Sequence, residues 1–175
     1  MKLPFVMFGY FQKGSELPMS FSHCEHDETH LSLHDCIAQR AYLENGKLGF
    51  ELSDGFRILP DHPESHSSDT VRTGSAKVEY TLYSGECGDV TVYVFEETLF
   101  KRTLRTEWTV EKLVYEINKG KCMLEFLYQY RDPFSVILEC QLRFLKKPYF
   151  KECSMKIFTT QTDYYWNDLY KDKIR

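Results

Sequence analysis

Long apolar runs are absent from this 175-residue sequence. No stretch approaches the roughly 20 apolar residues that a membrane-spanning helix needs. The apolar segment 1–11 is interrupted by Pro4 and Gly9, and no small-residue cleavage site of the kind that ends a secretory signal follows it. We therefore expect residues 1–20 to form an apolar N-terminal arm or edge strand, and we expect a cytoplasmic protein without a membrane partner.

An excess of basic residues is also absent. The formal net charge is −4, whereas nucleic-acid-binding domains are usually basic. Two local basic clusters, residues 101–105 and Lys146 and Lys147 with Lys151, have aromatic residues nearby, and that combination can hold single-stranded nucleic acid. Lysines at turns also keep strand edges from pairing with other chains, and the acidic total favours this second interpretation. Nucleic acid is therefore not an expected partner.

Paired cysteine motifs and phosphate-binding loops are missing as well. The six cysteines include no CxxC pair, and no glycine-rich segment has the spacing of a P-loop. Cys122, Cys140 and Cys153 fall on the apolar phase of alternating segments, where a free cysteine acts as a small hydrophobic side chain. We expect core thiols in a reducing compartment rather than a disulfide framework.

What the chain does contain is alternation of apolar and polar residues. Residues 77–82, 89–94, 135–144 and 152–157 alternate almost one for one. Successive side chains of a strand point to opposite faces, so this period predicts sheets with one buried and one exposed face. Asn45-Gly46 between two such segments is typical of a tight hairpin turn. Strands joined by short turns pair antiparallel, and we expect about eight of them.

The period changes once along the chain. Between residues 106 and 118 the apolar residues are three and four apart, which predicts an amphipathic helix. Thr106 or Thr109 is a candidate N-cap, and Gly120 stands where a helix commonly ends. The expected fold is mainly β (α+β): antiparallel sheets of about eight strands forming a sandwich or a partly open barrel, with one amphipathic helix near 106–118.

Length and composition indicate a single domain over residues 1–175. Residues 60–75 are rich in Pro, Ser, His, Asp and Gly, and a loop of this length is often functional. Residues 161–175 form an aromatic C-terminal tail, for which we expect one or two helical turns capped by Asp163. The domain thus has two segments, loop and tail, that are candidates for contact with a partner.

The six histidines all lie between His23 and His66. His26, His30 and His34 are spaced by four, so on a helix they would share one face and could bind zinc. The segment carries little helix signal, and on a strand His30 and His34 would stand about 13 Å apart. Three interpretations stay open: a polar surface segment, an adventitious or structural zinc site, and the metal site of a hydrolase that uses residues 23–35. No other cofactor is expected.

Aromatic residues are concentrated in the C-terminal tail. Tyr and Trp are favoured anchors at protein interfaces, and they also fix a terminal segment to the body of its own domain. Both interpretations stay open for these candidate interaction residues, which are Tyr164, Tyr165, Trp166 and Tyr170.

The function that these observations favour is binding. We expect a small soluble module without enzymatic activity, whose partner is a protein or a small ligand and whose contact surface includes the 60–75 loop and the aromatic tail. Two alternatives are a zinc-dependent hydrolase built on the histidine-rich segment and a carrier whose curled sheet encloses an apolar ligand. An enzyme is less favoured because no recognised catalytic motif is present.

Overall fold

The computed structural model describes residues 20–65, 68–97 and 102–171. The predicted N-terminal arm lies outside these ranges except for Ser20. The predicted fold class is confirmed: the described residues are mainly strands in antiparallel sheets that do not close into a barrel, together with one α-helix, as in a β-sandwich. No helix in the described ranges is both long and apolar enough to cross a bilayer.

The described residues form fourteen strands and one α-helix, and several strands have only two or three residues. The helix is α1 (Val110–Asn118), and Cys87–Asp89 form a short 3-10 turn. In chain order the strands are β1 (His23–Glu25), β2 (Leu31–Ser32), β3 (Cys36–Ala38), β4 (Arg40–Glu44), β5 (Lys47–Leu52), β6 (Arg57–Ile58), β7 (Val71–Thr73), β8 (Ala76–Leu82), β9 (Val90–Glu97), β10 (Thr103–Trp108), β11 (Cys122–Asp132), β12 (Ser135–Phe144), β13 (Phe150–Trp166) and β14 (Leu169–Lys171).

The long strand β13 belongs to two sheets. Its first half lies between β12 and β9, and its second half lies between β1 and β8. The first sheet has the order β3-β11-β12-β13-β9-β10, and the second has the order β1-β13-β8-β5-β4. The edge strands β3 and β4 follow each other in the chain through Gln39, so the two sheets are connected at this edge as well as through the shared β13.

The core lies between these two sheets. Val78, Val92, Leu138 and Met155, which the alternation assigns to buried faces, all belong to one hydrophobic cluster and are fully buried. The predicted core thiols Cys122, Cys140 and Cys153 are also buried, and all the cysteines among the described residues are free. The alternation in the sequence therefore identified the inner face of the strands correctly.

The helix α1 begins after Thr109, the second of the two predicted N-caps. The Thr109 hydroxyl caps it by accepting a hydrogen bond from the N–H of Lys112 (3.2 Å), and Gly120 follows its end at φ +66°. Residues 103–108 form β10 instead, because they pair with β9 along its free edge. Val110, Leu113 and Ile117 are buried, as the apolar stripe predicted, and the helix contacts β4, β9 and β11.

A third, small sheet has the order β14-β7-β6-β2. Its β7 comes from the segment 60–75, so part of the predicted loop is a strand. The predicted helical turns of the tail are wrong, since β13 continues to Trp166 and Asp163 lies within it. The strand continues because Tyr164 and Trp166 alternate into the core, where both contact the Phe56 ring edge-on at 5.4 and 5.6 Å.

Candidate functional site

The structure places the candidate zinc ligands at three separate positions. His26 Nδ1 lies 2.7 Å from Asp163 Oδ1. His30 packs edge-on against the His62 ring at 6.3 Å. His34 Nδ1 is hydrogen-bonded to the carbonyl oxygen of Leu127. The segment that carries them contains turns and β2 rather than a helix, so the one geometry in which they would share a face is not formed.

The described part of the chain contains no group of three or more His, Cys, Asp or Glu side chains placed to hold a metal ion. The structure thus does not bring His26, His30 and His34 together. Zinc binding by these residues stays a prediction.

The four tail aromatics have different environments. Tyr164 and Trp166 are almost fully buried, so in the folded protein they contribute to the core. Tyr165 is half-buried, with the Lys77 ammonium 4.3 Å from its ring centroid. Tyr170 is exposed, and its ring edge packs near Gly74. Of these four candidates, Tyr170 is the one that presents most of its ring to solvent.

An open cleft lies at one end of the sandwich, where the chain crosses from β1 to β3. Its volume is about 500 Å³. One wall is the crossing segment, and the other is the second half of β11. The lining side chains combine apolar, aromatic and polar types: Glu28, Leu31, Ser32, His34, Leu127, Tyr128 and Gln129.

A β-bulge in β11 shapes this cleft. The pairing of β11 with β12 shifts between Phe126 and Tyr128, so that Leu127 is an extra residue. A bulge reorients the side chains that follow it. Here Tyr128 is exposed on the outer side, Gln129 is directed inward opposite Leu138, and the Leu127 carbonyl is free to accept the hydrogen bond from His34.

The polar floor of the cleft is held from behind by buried groups. Gln129 Nε2 donates to Glu28 Oε2 at 2.7 Å, and the Tyr164 hydroxyl donates to the same carboxylate oxygen at 3.3 Å. The hydroxyl of the fully buried Tyr80 lies 3.5 Å from Gln129 Oε1. Burial raises the pKa of Tyr164, with a further contribution from the Glu28 charge, so this phenol stays protonated as a donor. These contacts fix the amide and carboxylate before any ligand arrives.

Arg131 neutralises the carboxylate of the floor. Its Nε and one terminal nitrogen both donate to Glu28, and the terminal contact is 3.1 Å. Two-point pairing of this kind fixes orientation as well as charge. The same terminal nitrogen also donates to the Thr162 hydroxyl, which ties the pair to β13. The Glu28 side chain is therefore a positioned acceptor rather than a free negative charge.

His34 forms the other polar wall. Because Nδ1 donates to the Leu127 carbonyl, the neutral ring presents Nε2 as an acceptor. The ring also lies 5.5 Å from that of Tyr128, tilted by 38°. The Ser32 hydroxyl accepts the backbone N–H of His34 (3.2 Å), and within the described ranges no hydrogen bond joins this hydroxyl to an imidazole. The cleft therefore lacks a serine activated by a neighbouring base.

A second polar cluster lies on the outer face of the sheet β1-β13-β8-β5-β4. The side chains of Glu79 and Asp163 sit side by side there and are only 9% and 4% exposed. Lys47 Nζ lies between them, 2.9 Å from Glu79 and 3.4 Å from Asp163. Lys77 Nζ and the Tyr42 hydroxyl also donate to Glu79, at 2.7 and 2.5 Å.

These donors determine the ionisation of Glu79. Burial by itself raises the pKa of this carboxyl, but the hydrogen bonds from Lys77, Tyr42 and Lys47 outweigh burial and lower the pKa to about 2. For Asp163, burial again acts upward and is outweighed, here by Gln161, His26 and Lys47. Both carboxylates are therefore charged and fully engaged. The arrangement has the character of a structural network, and the cleft is the better candidate site.

The sequence pointed only partly to the cleft. The histidine-rich segment was identified, but Tyr128 and Gln129 were not. One signal was present, because the consecutive apolar residues Phe126, Leu127 and Tyr128 break the alternation, and such a break is typical of a bulge. No protein-family model, curated protein or solved structure matches this chain. The site is therefore interpreted from its own geometry.

Proposed function

We propose that this protein is a binding module without catalytic activity of its own. Its cleft takes a small flat ligand, or a flat side chain of a peptide, that donates hydrogen bonds. The observation that carries the proposal is the fixed polar floor, in which buried tyrosines and Arg131 hold Glu28 and Gln129 in position. Polar groups placed in advance within a partly apolar cleft are characteristic of small-molecule sites.

The walls specify the shape of the ligand. Leu31 and Leu127 supply apolar surface, and the Tyr128 ring supplies an aromatic face. A flat group can stack against that ring at little entropic cost, because the ring is already oriented by its contact with His34. The volume of the cleft, about 500 Å³, is in the range of small-ligand sites.

The polar groups specify its chemistry. The neutral His34 ring presents Nε2 as an acceptor and the Glu28 carboxylate oxygens are acceptors too, so a matching ligand donates hydrogen bonds. A carboxylate ligand is disfavoured because it accepts rather than donates hydrogen bonds, and the Arg131 guanidinium beside the cleft is already paired with Glu28. Aromatic amides and amines supply both a flat ring and hydrogen-bond donors, whereas aromatic carboxylates supply the ring but no donor.

The cleft is a different surface from the one that the sequence suggested. The 60–75 loop and the aromatic tail were expected to face the partner, and their role there stays a prediction. The cleft is better supported because it combines a concave shape with fixed polar groups. The apolar carrier gains no support from it, since the lining includes polar Glu28, Ser32 and Gln129, and the hydrolase stays a prediction.

The proposal is tested by titrating ¹⁵N-labelled protein with three matched sets of fragments: aromatic amides and amines, aromatic carboxylates, and non-aromatic amides. We expect the first set to bind best. Its chemical-shift changes should centre on Leu31, His34 and Gln129. Weak or absent changes with the carboxylates would show that the cleft requires a ligand that donates hydrogen bonds.

Two tyrosine variants provide the control. Tyr128→Ala removes the aromatic wall and should weaken binding of the first set up to about tenfold. Tyr83→Ala removes an equally exposed tyrosine at the end of β8 and should leave binding unchanged. The proposal fails if no set perturbs the cleft, or if both variants bind alike.

A further inference from the structure

The turn between β12 and β13 exposes an unusual amount of apolar surface. We call residues 145–150 the hairpin tip. Leu145 is 83% exposed, Tyr149 59% and Phe150 58%. Single exposed apolar residues are common on protein surfaces, but three within one projecting turn form a patch that indicates an interaction.

The hairpin tip is also basic. It contains Lys146 and Lys147 and no acidic residue, and within the described part of the chain neither lysine forms an ion pair. By contrast, the lysines that flank this end are paired: Lys151 with Glu96 at 2.5 Å and Lys121 with Glu116 at 2.8 Å. The uncompensated charge is thus concentrated where the apolar side chains project.

The surface around the hairpin tip is also basic and aromatic. The end of α1 lies beside the hairpin tip, because it leads into β11, whose first residue Cys122 pairs with Phe144. Exposed Tyr115 lies there, with the ammonium groups of Lys119 and Lys121 within 5.7 and 5.2 Å of its ring centroid. This whole end therefore presents lysines beside aromatic rings.

We propose that the hairpin tip docks on an anionic lipid surface. Aromatic and leucine side chains partition into the interface of a bilayer, and neighbouring lysines contact the anionic headgroups while their alkyl stems follow the apolar residues inward. The charge of the tip complements that surface. A convex turn also fits a deformable bilayer, whereas a protein partner would need a matching groove.

The geometry is less suited to single-stranded nucleic acid. Bases stack on rings that lie side by side along a surface. Tyr149 lies in the turn and Phe150 is the first residue of β13, so the two rings project from different elements. They form no ring pair with each other in the described structure. Nucleic acid is therefore the alternative outcome of the test.

Lipid docking is independent of the proposed cleft. Tyr130, beside the cleft, pairs with Ile137, eight residues before Leu145 along the same strand. At the rise of an antiparallel strand the two sites are about 25 Å apart. The sequence-based expectation of no membrane partner rested on the length of apolar runs, and docking on a lipid surface needs no membrane-spanning helix.

The test is sedimentation with vesicles of phosphatidylcholine alone and with about one third phosphatidylserine. We expect binding to the anionic vesicles that weakens as salt rises. Lys146→Gln with Lys147→Gln should reduce it more than tenfold, since each lysine near an anionic surface contributes about fivefold. Leu145→Ser with Phe150→Ser should reduce it at least as much.

A matched control uses the opposite end of the sheet. Tyr130→Ser with Phe134→Ser removes two exposed aromatic residues, and Lys156→Gln removes an exposed lysine, so neither should change vesicle binding. Every altered side chain is on the surface, so we expect all variants to fold. Circular dichroism checks this. Equal sedimentation of the tip and control variants would overturn the proposal.

A fluorescent reporter gives an independent readout. The two native tryptophans, Trp108 and Trp166, are buried. Tyr149→Trp therefore adds an exposed indole, whose emission should shift to shorter wavelength with anionic vesicles and stay unchanged with neutral ones. Absence of any shift, or binding to oligo-dT in place of vesicles, would contradict lipid docking.

Discussion

At the scale of single residues, the contact of Tyr42 with Gly49 shows how one missing side chain shapes the surface. Tyr42 on β4 lies across Gly49 on β5, and a Cβ at position 49 would come within 2.1 Å of the Tyr42 ring. The space left by the glycine lets the Tyr42 hydroxyl reach Glu79 on β8 at 2.5 Å. Burial, then the bond to Glu79, raises the pKa of Tyr42, so the hydroxyl remains a donor.

Gly49→Ala should therefore destabilise the protein by about 1–3 kcal/mol, the usual effect of adding a methyl group to a filled space. The added Cβ displaces the Tyr42 ring and breaks its bond to Glu79. Urea unfolding, followed by tryptophan fluorescence, measures the change. Gly88→Ala is the control, since a Cβ there meets no atom within 4 Å. Equal stability of the two variants would show that Tyr42 moves aside freely.

At the scale of elements, α1 does more than bury its apolar stripe against β4, β9 and β11. Its last residue, Asn118, completes the edge of β4: Oδ1 accepts the N–H of Ala41 (3.0 Å), and Nδ2 donates to the Ala41 carbonyl (2.7 Å). The side-chain amide thus takes the place of a neighbouring strand. This pairing gives hydrogen-bond partners to two backbone groups that an edge strand otherwise leaves unpaired.

Asn118→Ala should lower the free energy of unfolding by about 1–2 kcal/mol, because it leaves both backbone groups of Ala41 without a protein partner. Lys119→Ala changes the next residue and should have an effect below about 0.5 kcal/mol. Hydrogen exchange adds a local measurement. The Ala41 amide should lose protection in the first variant and keep it in the second; retained protection would contradict the pairing.

At the scale of the whole molecule, the polar network of Glu79 and Asp163 joins β4, β5, β8, β13 and the segment that follows β1. Lys47 contributes from β5, and His26 follows β1. The pKa of Glu79 is lowered from 4.5 to about 2 in the folded protein, against the upward effect of burial. A lowered carboxyl pKa stabilises the fold above the unfolded value, and the stabilisation is lost as the pH falls through the folded value.

The stability of the wild-type protein should therefore decrease between about pH 4.5 and pH 2. Glu79→Gln should be less stable than wild type at neutral pH, with the titration accounting for about 3 kcal/mol at most. The difference should shrink as the pH falls through this window. Unfolding in urea at a series of pH values measures it. Glu86→Gln, at an exposed site, should follow the wild type, and a pH-independent difference for Glu79→Gln would contradict the linkage.

The sequence alone determined the fold class and the inner faces of the strands. Alternation identified Val78, Val92, Leu138 and Met155 as core residues, and the Asn45-Gly46 hairpin formed as predicted, with both residues at positive φ. These features are local: a period of two or the positive φ of a turn depends on neighbouring residues. The buried stripe of α1 was predicted for the same reason.

Tertiary structure alone decided where strands end and which polar residues meet. β10 formed because the β9 edge was free to pair, and β13 continued to Trp166 because Phe56 receives its aromatic rings. The cleft brings Glu28 together with Arg131, 103 residues away along the chain. No local sequence pattern encodes a contact between residues so far apart in the chain, because the contact depends on how two sheets share one strand. For the same reason the spacing of His26, His30 and His34, which would align them on a helix, did not bring them together here.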